Sequence, residues 1–464
     1  MTPRITFVGG GSTHWTPRLL VDFVNTPSLA DADVALVDLD PDSLPPMLRL
    51  AEHLRRTSGA GLQVHATTDL EEGLEGADYV VTQLSVGGFA SMRHDLEIPA
   101  RYGIRQPVGD SVGPGGVSRA LRSVPVLLGI ARAMERVAPS ATLLNVTNPL
   151  SALCRAVTRE TSITTIGLCN ELVGTSFVLS LLLDCGMHEL DPVVAGVNHL
   201  PVITALRIPS DAGGADDEDG FARLRALLDS DEARQQPIWM APPHQLFWRK
   251  RTPGPEWTKD DVLANIPIRF EMFRRFGVLP GSSDTHVAEF VPGFCTARSD
   301  FGRDWNVRQY GIDGHMDDKE LDGAQLAELL ASDDAPRIPS GELVAPVLDG
   351  LAGSGSRDVP VNLPNRGQVT NVPEGVIVEC IGTVDEHGVR ARDTATIPGF
   401  LGEAVRRIAA CQELTVEAAL TGDRSKVLEA MLADPSAGSL PYEDTVAMTD
   451  ELLAATSAWL PQFA

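Results

Sequence analysis

Two groups of residues near the start of the chain have the types and spacing to do chemistry. The first is Val8-Gly9-Gly10-Gly11-Ser12-Thr13, which follows the β-rich Ile5-Thr6-Phe7. An apolar stripe at helical spacing covers residues 17–24 just after it. Strand, glycine turn and helix in that order can hold a dinucleotide, because glycines let the backbone approach a pyrophosphate and the helix N-terminus offers N–H donors. The next strand, Val34-Ala35-Leu36-Val37, ends in Asp38, an acid placed to accept from ribose hydroxyls. A purely structural βαβ turn is the rival reading, and the acid at the second strand end weighs against it. The second group sits after two further apolar runs, Tyr79-Val80-Val81-Thr82 and Ala141-Thr142-Leu143-Leu144. Such runs suit parallel strands buried on both faces, and ligands bind outside the carboxyl ends of such strands. That places Gln83, Asn145, Thr147 and Asn148 near a nucleotide or substrate. Arg93-His94-Asp95 and the glycine-dense Gly109-Asp110-Ser111-Val112-Gly113-Pro114-Gly115-Gly116 lie between them, the latter read as a loop passing close to a ligand.

The rest of the chain must position these groups. Its 464 residues imply two or three domains, and 43% hydrophobic with 22% charged residues is ordinary globular composition. Lys and Arg number 38 against 63 Asp and Glu, a net charge of −25, which excludes the basic footprint a nucleic-acid binder needs and disfavours an anionic lipid surface. No apolar run reaches the ~18 residues of a membrane span. Six cysteines without a C-x-x-C pair fit a reducing compartment, and the N-terminus lacks a signal-peptide pattern, so a cytoplasmic enzyme is expected. The expected fold class is α/β: a Rossmann-like domain over residues 1–192 and a mixed α+β domain over 193–464 that completes the cleft. Residues 209–220 read as an exposed acidic loop, 313–340 as an acid-rich stretch with a short helix inside, and 400–433 as packed helices.

Several motifs, in order along most of the chain, resemble the family four glycoside hydrolases. They are Val8-Gly9-Gly10-Gly11-Ser12-Thr13, Arg105-Gln106-Pro107-Val108-Gly109-Asp110-Ser111, Asn145-Val146-Thr147-Asn148-Pro149, Gly167-Leu168-Cys169-Asn170, Gly196-Val197-Asn198-His199, Phe270-Glu271-Met272-Phe273 and Asn362-Leu363-Pro364-Asn365-Arg366-Gly367. The resemblance implies a fold related to lactate and malate dehydrogenases, NAD and a divalent metal, usually manganese (Mn2+), as cofactors, and a homodimer or homotetramer. It also implies glycoside cleavage by oxidation at C3, loss of the C2 proton, elimination of the aglycone, water addition and return of hydride, an exception to the two-carboxylate route.

By that resemblance Cys169 and His199 would be the metal ligands; read alone, a buried Cys is more often core. The tyrosine base of many members is absent, since no tyrosine lies between His199 and Tyr310. Asp261 and its neighbour Asp260, in Trp257-Thr258-Lys259-Asp260-Asp261, are the base candidates, with a solvated turn as the equal alternative. Asp110 is the candidate acid or substrate-hydroxyl ligand. Asn170 stands where some members carry an acid and would bind a sugar hydroxyl. Arg93 and His286 would also contact substrate. The Gly-Asp-Ser loop and the polar run Ser282-Ser283-Asp284-Thr285-His286 resemble the branch acting on α-galactosides, α-glucosides and uronides. A 6-phospho-glycosidase is the nearest rival; a 2-hydroxyacid dehydrogenase and a non-catalytic NAD-binding protein are rivals from other classes.

Overall fold

A computed structural model describes residues 2–209, 217–238, 257–333 and 339–464. Most of the expected acidic loop at 209–220 therefore lies outside the described residues, as does part of the stretch at 313–340. Among the described residues thirteen strands form one sheet: β1 (Arg4–Val8), β2 (Asp33–Val37), β3 (Gln63–Thr67), β4 (Tyr79–Thr82), β5 (Thr142–Asn145), β6 (Thr165–Gly167), β7 (Asp191–Val197), β8 (Leu200–Ile208), β9 (Glu218–Asp219), β10 (Leu279–Pro280), β11 (Arg357–Pro364), β12 (Ile377–Asp385) and β13 (Gly388–Ala391).

The first six are parallel, in the order β3-β2-β1-β4-β5-β6, which is the order of a dinucleotide-binding sheet. Ile5, Phe7, Val34, Leu36, Val80, Val81, Leu143 and Leu144 are all buried, because helices cover both faces. Even Thr6 is buried on β1; its hydroxyl donates to the Gly73 carbonyl at 2.6 Å. The edge strand β3 is polar and partly exposed.

The sheet does not stop at residue 192. Strand β11 joins β6 antiparallel, pairing Asn362 with Gly167, and β12, β7, β8 and β10 continue antiparallel beyond it. The change from parallel to antiparallel falls inside one sheet, between β6 and β11. The expected C-terminal helices are Gly399–Thr421 and Arg424–Ala433, followed by Tyr442–Ala455. They pack back on the first half: Val416, Val427 and Met448 share a core with Leu121, Leu127 and Leu143.

Two local expectations change. The glycine-dense segment is only partly loop, for Gly113 opens the 25-residue helix Gly113–Val137. A Cβ at Gly116 would come within 2.5 Å of the Ser111 carbonyl carbon, so glycine there lets the helix start against the loop. The short helix expected within 313–340 is a 21-residue helix, Gly311–Ala331.

Candidate active site

The glycine turn lies between the ends of β1, β2 and β4. The Gly9 and Gly10 N–H groups both donate to the Val37 carbonyl at 2.9 Å, and the Gly11 N–H donates to Asp38 Oδ2 at 2.9 Å. Gly9 has φ +93°, and a Cβ there would sit 2.4 Å from the Gln83 carbonyl oxygen. Ser12 Oγ accepts from the Trp15 N–H at 3.1 Å, where the helix Trp15–Asn25 begins, with Thr13 between them. Gln83 ties β4 to the turn: its Nε2 donates to the Gly9 carbonyl at 2.9 Å and to Thr16 Oγ1 at 2.8 Å, and its Oε1 is buried without a protein partner. A tight glycine cradle, a helix N-terminus, an acid at the second strand end and an orphaned buried acceptor together fit a dinucleotide.

A second group gathers at the carboxyl ends of the strands. Ligand atoms of Asp110, His199 and His286 all lie within 4.8 Å of one another. His199 sits in the turn joining β7 to β8 with φ +66°, an unusual backbone for a non-glycine residue. Its Nδ1 is 2.9 Å from Ser111 Oγ, and that hydroxyl donates to Asp110 Oδ1 at 2.8 Å. Asn148 Nδ2 donates to the other carboxylate oxygen of Asp110 at 2.9 Å. His286, on the short helix Asp284–Phe290, stacks on His199 with ring centroids 3.7 Å apart. Glu171 Oε1 lies 3.8 Å from His286 Nε2, and Glu289 Oε2 lies 3.9 Å from its Nδ1. Glu289 also fixes the Asp110 loop, accepting from the Val108 and Gly109 N–H groups at 2.7 Å each.

These environments drive the charges apart. Burial pushes the Asp110 carboxyl up, but His199, His286 and Arg119 bring it down to about 2. Burial and the charge on His286 hold His199 down to about 4, leaving the neutral imidazole that can ligate a metal. Burial opposes charge on His286 too, yet Glu171, Glu289 and Asp110 lift it to about 9. Asp110 is thus ionised at neutral pH. In that state it suits ligation or acceptance of a hydrogen bond from a sugar hydroxyl.

Cys169 follows β6 and lies beside this group, not within the set of three. Burial pushes its thiol well above the usual range, with Glu379 and Glu171 adding to the effect. The Glu171 N–H and the Asn198 side-chain amide face its sulfur and act in the opposite direction. One thiol, a neutral imidazole and an ionised carboxylate make a donor set that fits a divalent cation with positions left for substrate or water. Asn170 faces elsewhere than expected: its Nδ2 donates to Glu342 Oε2 at 3.0 Å, and burial lifts Glu342 to about 7.

Four expected contacts are not brought to this group. Arg93 is exposed on the helix Gly88–Arg101 and pairs with Glu97 at 2.8 Å. Asp261 closes a capping box, its Oδ2 accepting from the Thr258 N–H and hydroxyl at 2.8 Å each. Asp260 pairs with Arg234 at 3.0 Å. Lys259 beside them pairs with Asp184, at the far end of the helix Glu171–Leu183 from Glu171. That helix is roughly 18 Å long at 1.5 Å per residue, so the Lys-Asp-Asp turn stands well away from the cluster. Asn145 is fully buried, and its amide is spent on Thr82 Oγ1, the Thr147 backbone and Cys154 Sγ. These bonds brace the ends of β4 and β5. The sequence reading missed Glu171, Ser111, Asn198, Glu342 and Glu379. Asn198 stands next to a proposed metal ligand and Glu171 two residues from one; the glutamates at 342 and 379 carry no local signal.

The comparisons agree with this geometry. The family model described as Family 4 glycosyl hydrolase matches residues 4–185, and that of the family's C-terminal domain matches residues 194–437. The chain is 28% identical to an alpha-galactosidase of Bacillus subtilis, covering 99% of both chains. It is 28% identical to an alpha-galacturonidase of Thermoanaerobacterium saccharolyticum, covering 98% of this chain and 96% of that one. The crystal structure of the protein lplD from Bacillus subtilis superposes with a TM-score of 0.82 at 26% identity, covering 97% of this chain and 100% of that one. A 6-phospho-alpha-glucosidase from gut microorganisms, solved with NAD and Mn2+, shares the fold at a TM-score of 0.79 and 20% identity over the whole of both chains. With both halves matched in order, the chain belongs to family 4 of the glycosyl hydrolases.

Proposed function

We propose that this enzyme hydrolyses α-glycosides, a galactoside, glucoside or uronide, using NAD and a divalent cation such as Mn2+. The observation that carries the reading is the meeting of the Gly9–Gly11 turn and the Asp110–His199–His286 group at the carboxyl ends of one sheet. When bound, NAD and the cation supply reversible hydride transfer and Lewis-acid polarisation. The residues of the chain do the rest. Gly9 to Thr13 and the helix behind them receive the pyrophosphate, and Asp38 accepts from ribose hydroxyls. Cys169 and His199 hold the cation, with Asp110 as the third donor. Asn148, fixed by Asp110, and Arg119, whose Nε donates to the Asn148 carbonyl at 3.2 Å, orient sugar oxygens. Oxidation at C3 acidifies the C2 proton; its loss expels the aglycone, and water addition followed by reduction completes hydrolysis.

A screen of nitrophenyl α-galactoside, α-glucoside, α-galacturonide and 6-phosphoglycosides, with and without NAD and Mn2+, tests the reading. Release that needs both additives, fastest on a non-phosphorylated α-glycoside, is expected. Hydrolysis that persists without either would overturn it, and a strict preference for 6-phosphoglycosides would move the enzyme to the rival substrate class. We also place the enzyme in the cytoplasm as a homodimer or homotetramer; sedimentation of the purified chain as a monomer at working concentration would count against the assembly.

A further inference from the structure

Four residues of the sheet floor are successive register partners across four strands. Gly167 on β6 faces Asn362 on β11, Asn362 faces Glu379 on β12, and Glu379 faces Gly196 on β7. Both glycines are required for steric reasons: a Cβ at Gly167 would lie 2.9 Å from Asn362 Cβ, and one at Gly196 would lie 2.2 Å from the Leu200 carbonyl oxygen. Between these two glycines the row carries two side chains, an amide and a carboxyl, at 1% and 0% exposure. Burying a carboxyl in a sheet is costly and adds nothing to packing. This one meets the turn above it: Asn198 Nδ2 donates to Glu379 Oε2 at 3.3 Å, and the His199 main-chain amide also faces the carboxyl. The same Asn198 amide also faces the thiol of Cys169 and favours its ionised form. Glu379 Oε1, Asn198 Oδ1 and both amide atoms of Asn362 have no protein partner, although all are buried. A polar seam this incomplete is a poor structural brace, but it lies directly under the residues proposed to hold the cation.

We propose that Glu379 is a positioning residue for the cation site, acting through Asn198 on the sulfur of Cys169 and through the β7–β8 turn on the imidazole of His199. The carboxyl orients the Asn198 amide so that one N–H points down to Glu379 and the other points to the sulfur. It also steadies the left-handed backbone at His199. Partners behind metal ligands fix ligand orientation, and their loss typically costs about 10–100-fold in metal affinity. The inference rests on the reading of Cys169 and His199 as ligands, and the experiment separates the two.

Mn2+ affinity, read from the free-ion magnetic resonance signal, is measured in the full-length enzyme and in Cys169→Ser, Glu379→Leu, Glu379→Gln and Asn198→Ser. NAD affinity and thermal unfolding without metal are measured on the same samples. Cys169→Ser should lose Mn2+ binding. Glu379→Leu should weaken it by about tenfold or more while NAD affinity stays within about twofold. Glu379→Gln should recover most of the loss, because its carbonyl still accepts from Asn198, a rescue that a volume-filling role would not produce. The Co2+ form of Glu379→Leu should show a weaker thiolate-to-metal absorption band than wild type. Wild-type Mn2+ affinity in Glu379→Leu beside a lost signal in Cys169→Ser would overturn the role of Glu379 alone. Wild-type affinity in Cys169→Ser would overturn the ligand reading and this proposal with it. Should Glu379→Leu fail to fold, Asn198→Ser decides: the same loss supports the relay, and unchanged affinity overturns it.

Discussion

At the scale of single residues, the same side-chain type takes opposite charge states within a few ångströms. Burial and the charge on His286 outweigh Asp110 and Glu171 at His199 and hold it neutral, whereas Glu171, Glu289 and Asp110 overcome burial at His286 and keep it charged. Asp110 stays ionised among cations, so Asp110→Asn should cut Mn2+ affinity by about tenfold or more, checked by the same metal titration. The Lys-Asp-Asp turn gives a contrast. Asp261→Ala removes a capping partner and should lower stability by about 1 kcal/mol in denaturant melts, with turnover unchanged. A large loss of kcat would return it to the catalytic list. Buried Asp22 gives a prediction about pH. Burial lifts its carboxyl to about 6, despite hydrogen bonds from Ser340 and the charge of Arg18. Because the folded value lies above the unfolded one, its favourable contribution is complete below about pH 4 and lost as pH rises through 6. Wild type should therefore lose up to roughly 3 kcal/mol of stability relative to Asp22→Asn between pH 4 and pH 8. Parallel pH profiles for the two proteins would contradict this.

At the scale of elements, legibility followed locality. Strands β1, β2, β4 and β5 were readable because each is a short apolar run buried on both faces. Strand β3 was not, because Gln63-Val64-His65-Ala66-Thr67 sits at the sheet edge, half in solvent, and carries no apolar run. Candidate residues at strand ends and in the quoted motifs could be found from sequence. Glu379 could not, because it reaches the site only through the pairing of β6, β11, β12 and β7, the same pairing that gives Asn362 of a quoted motif its place. Asp95 was visible, but its role was not. It is buried against Arg122, 3.0 Å from one guanidinium nitrogen, and ties the helix Gly88–Arg101 to the helix Gly113–Val137. Asp95→Ala would leave an uncompensated buried cation and should cost about 3–5 kcal/mol in chemical denaturation, far more than Arg93→Ala on the exposed face of the same helix. Equal, small effects would show that the pair is not the tie between the two helices.

At the scale of the whole molecule, one sheet and a shared core join the two expected halves. The helices after residue 399 cover the Gly113–Val137 helix, so a fragment ending at residue 192 exposes a core it cannot close. That fragment should lack a cooperative thermal transition by circular dichroism; a sharp one would show the first half to be autonomous. The net charge of −25 is a property of the whole chain. The site itself, with His199, His286 and Arg119 around Asp110, has its own balance. The central claim is that this site cleaves its glycoside by passing through C3 oxidation and C2 proton loss. Mass spectrometry and proton resonance of the sugar released in D2O, with NAD and Mn2+ present, test it most directly. Deuterium at C2 of the product is the expected result. Product formed at full rate with no deuterium at C2 would contradict the account.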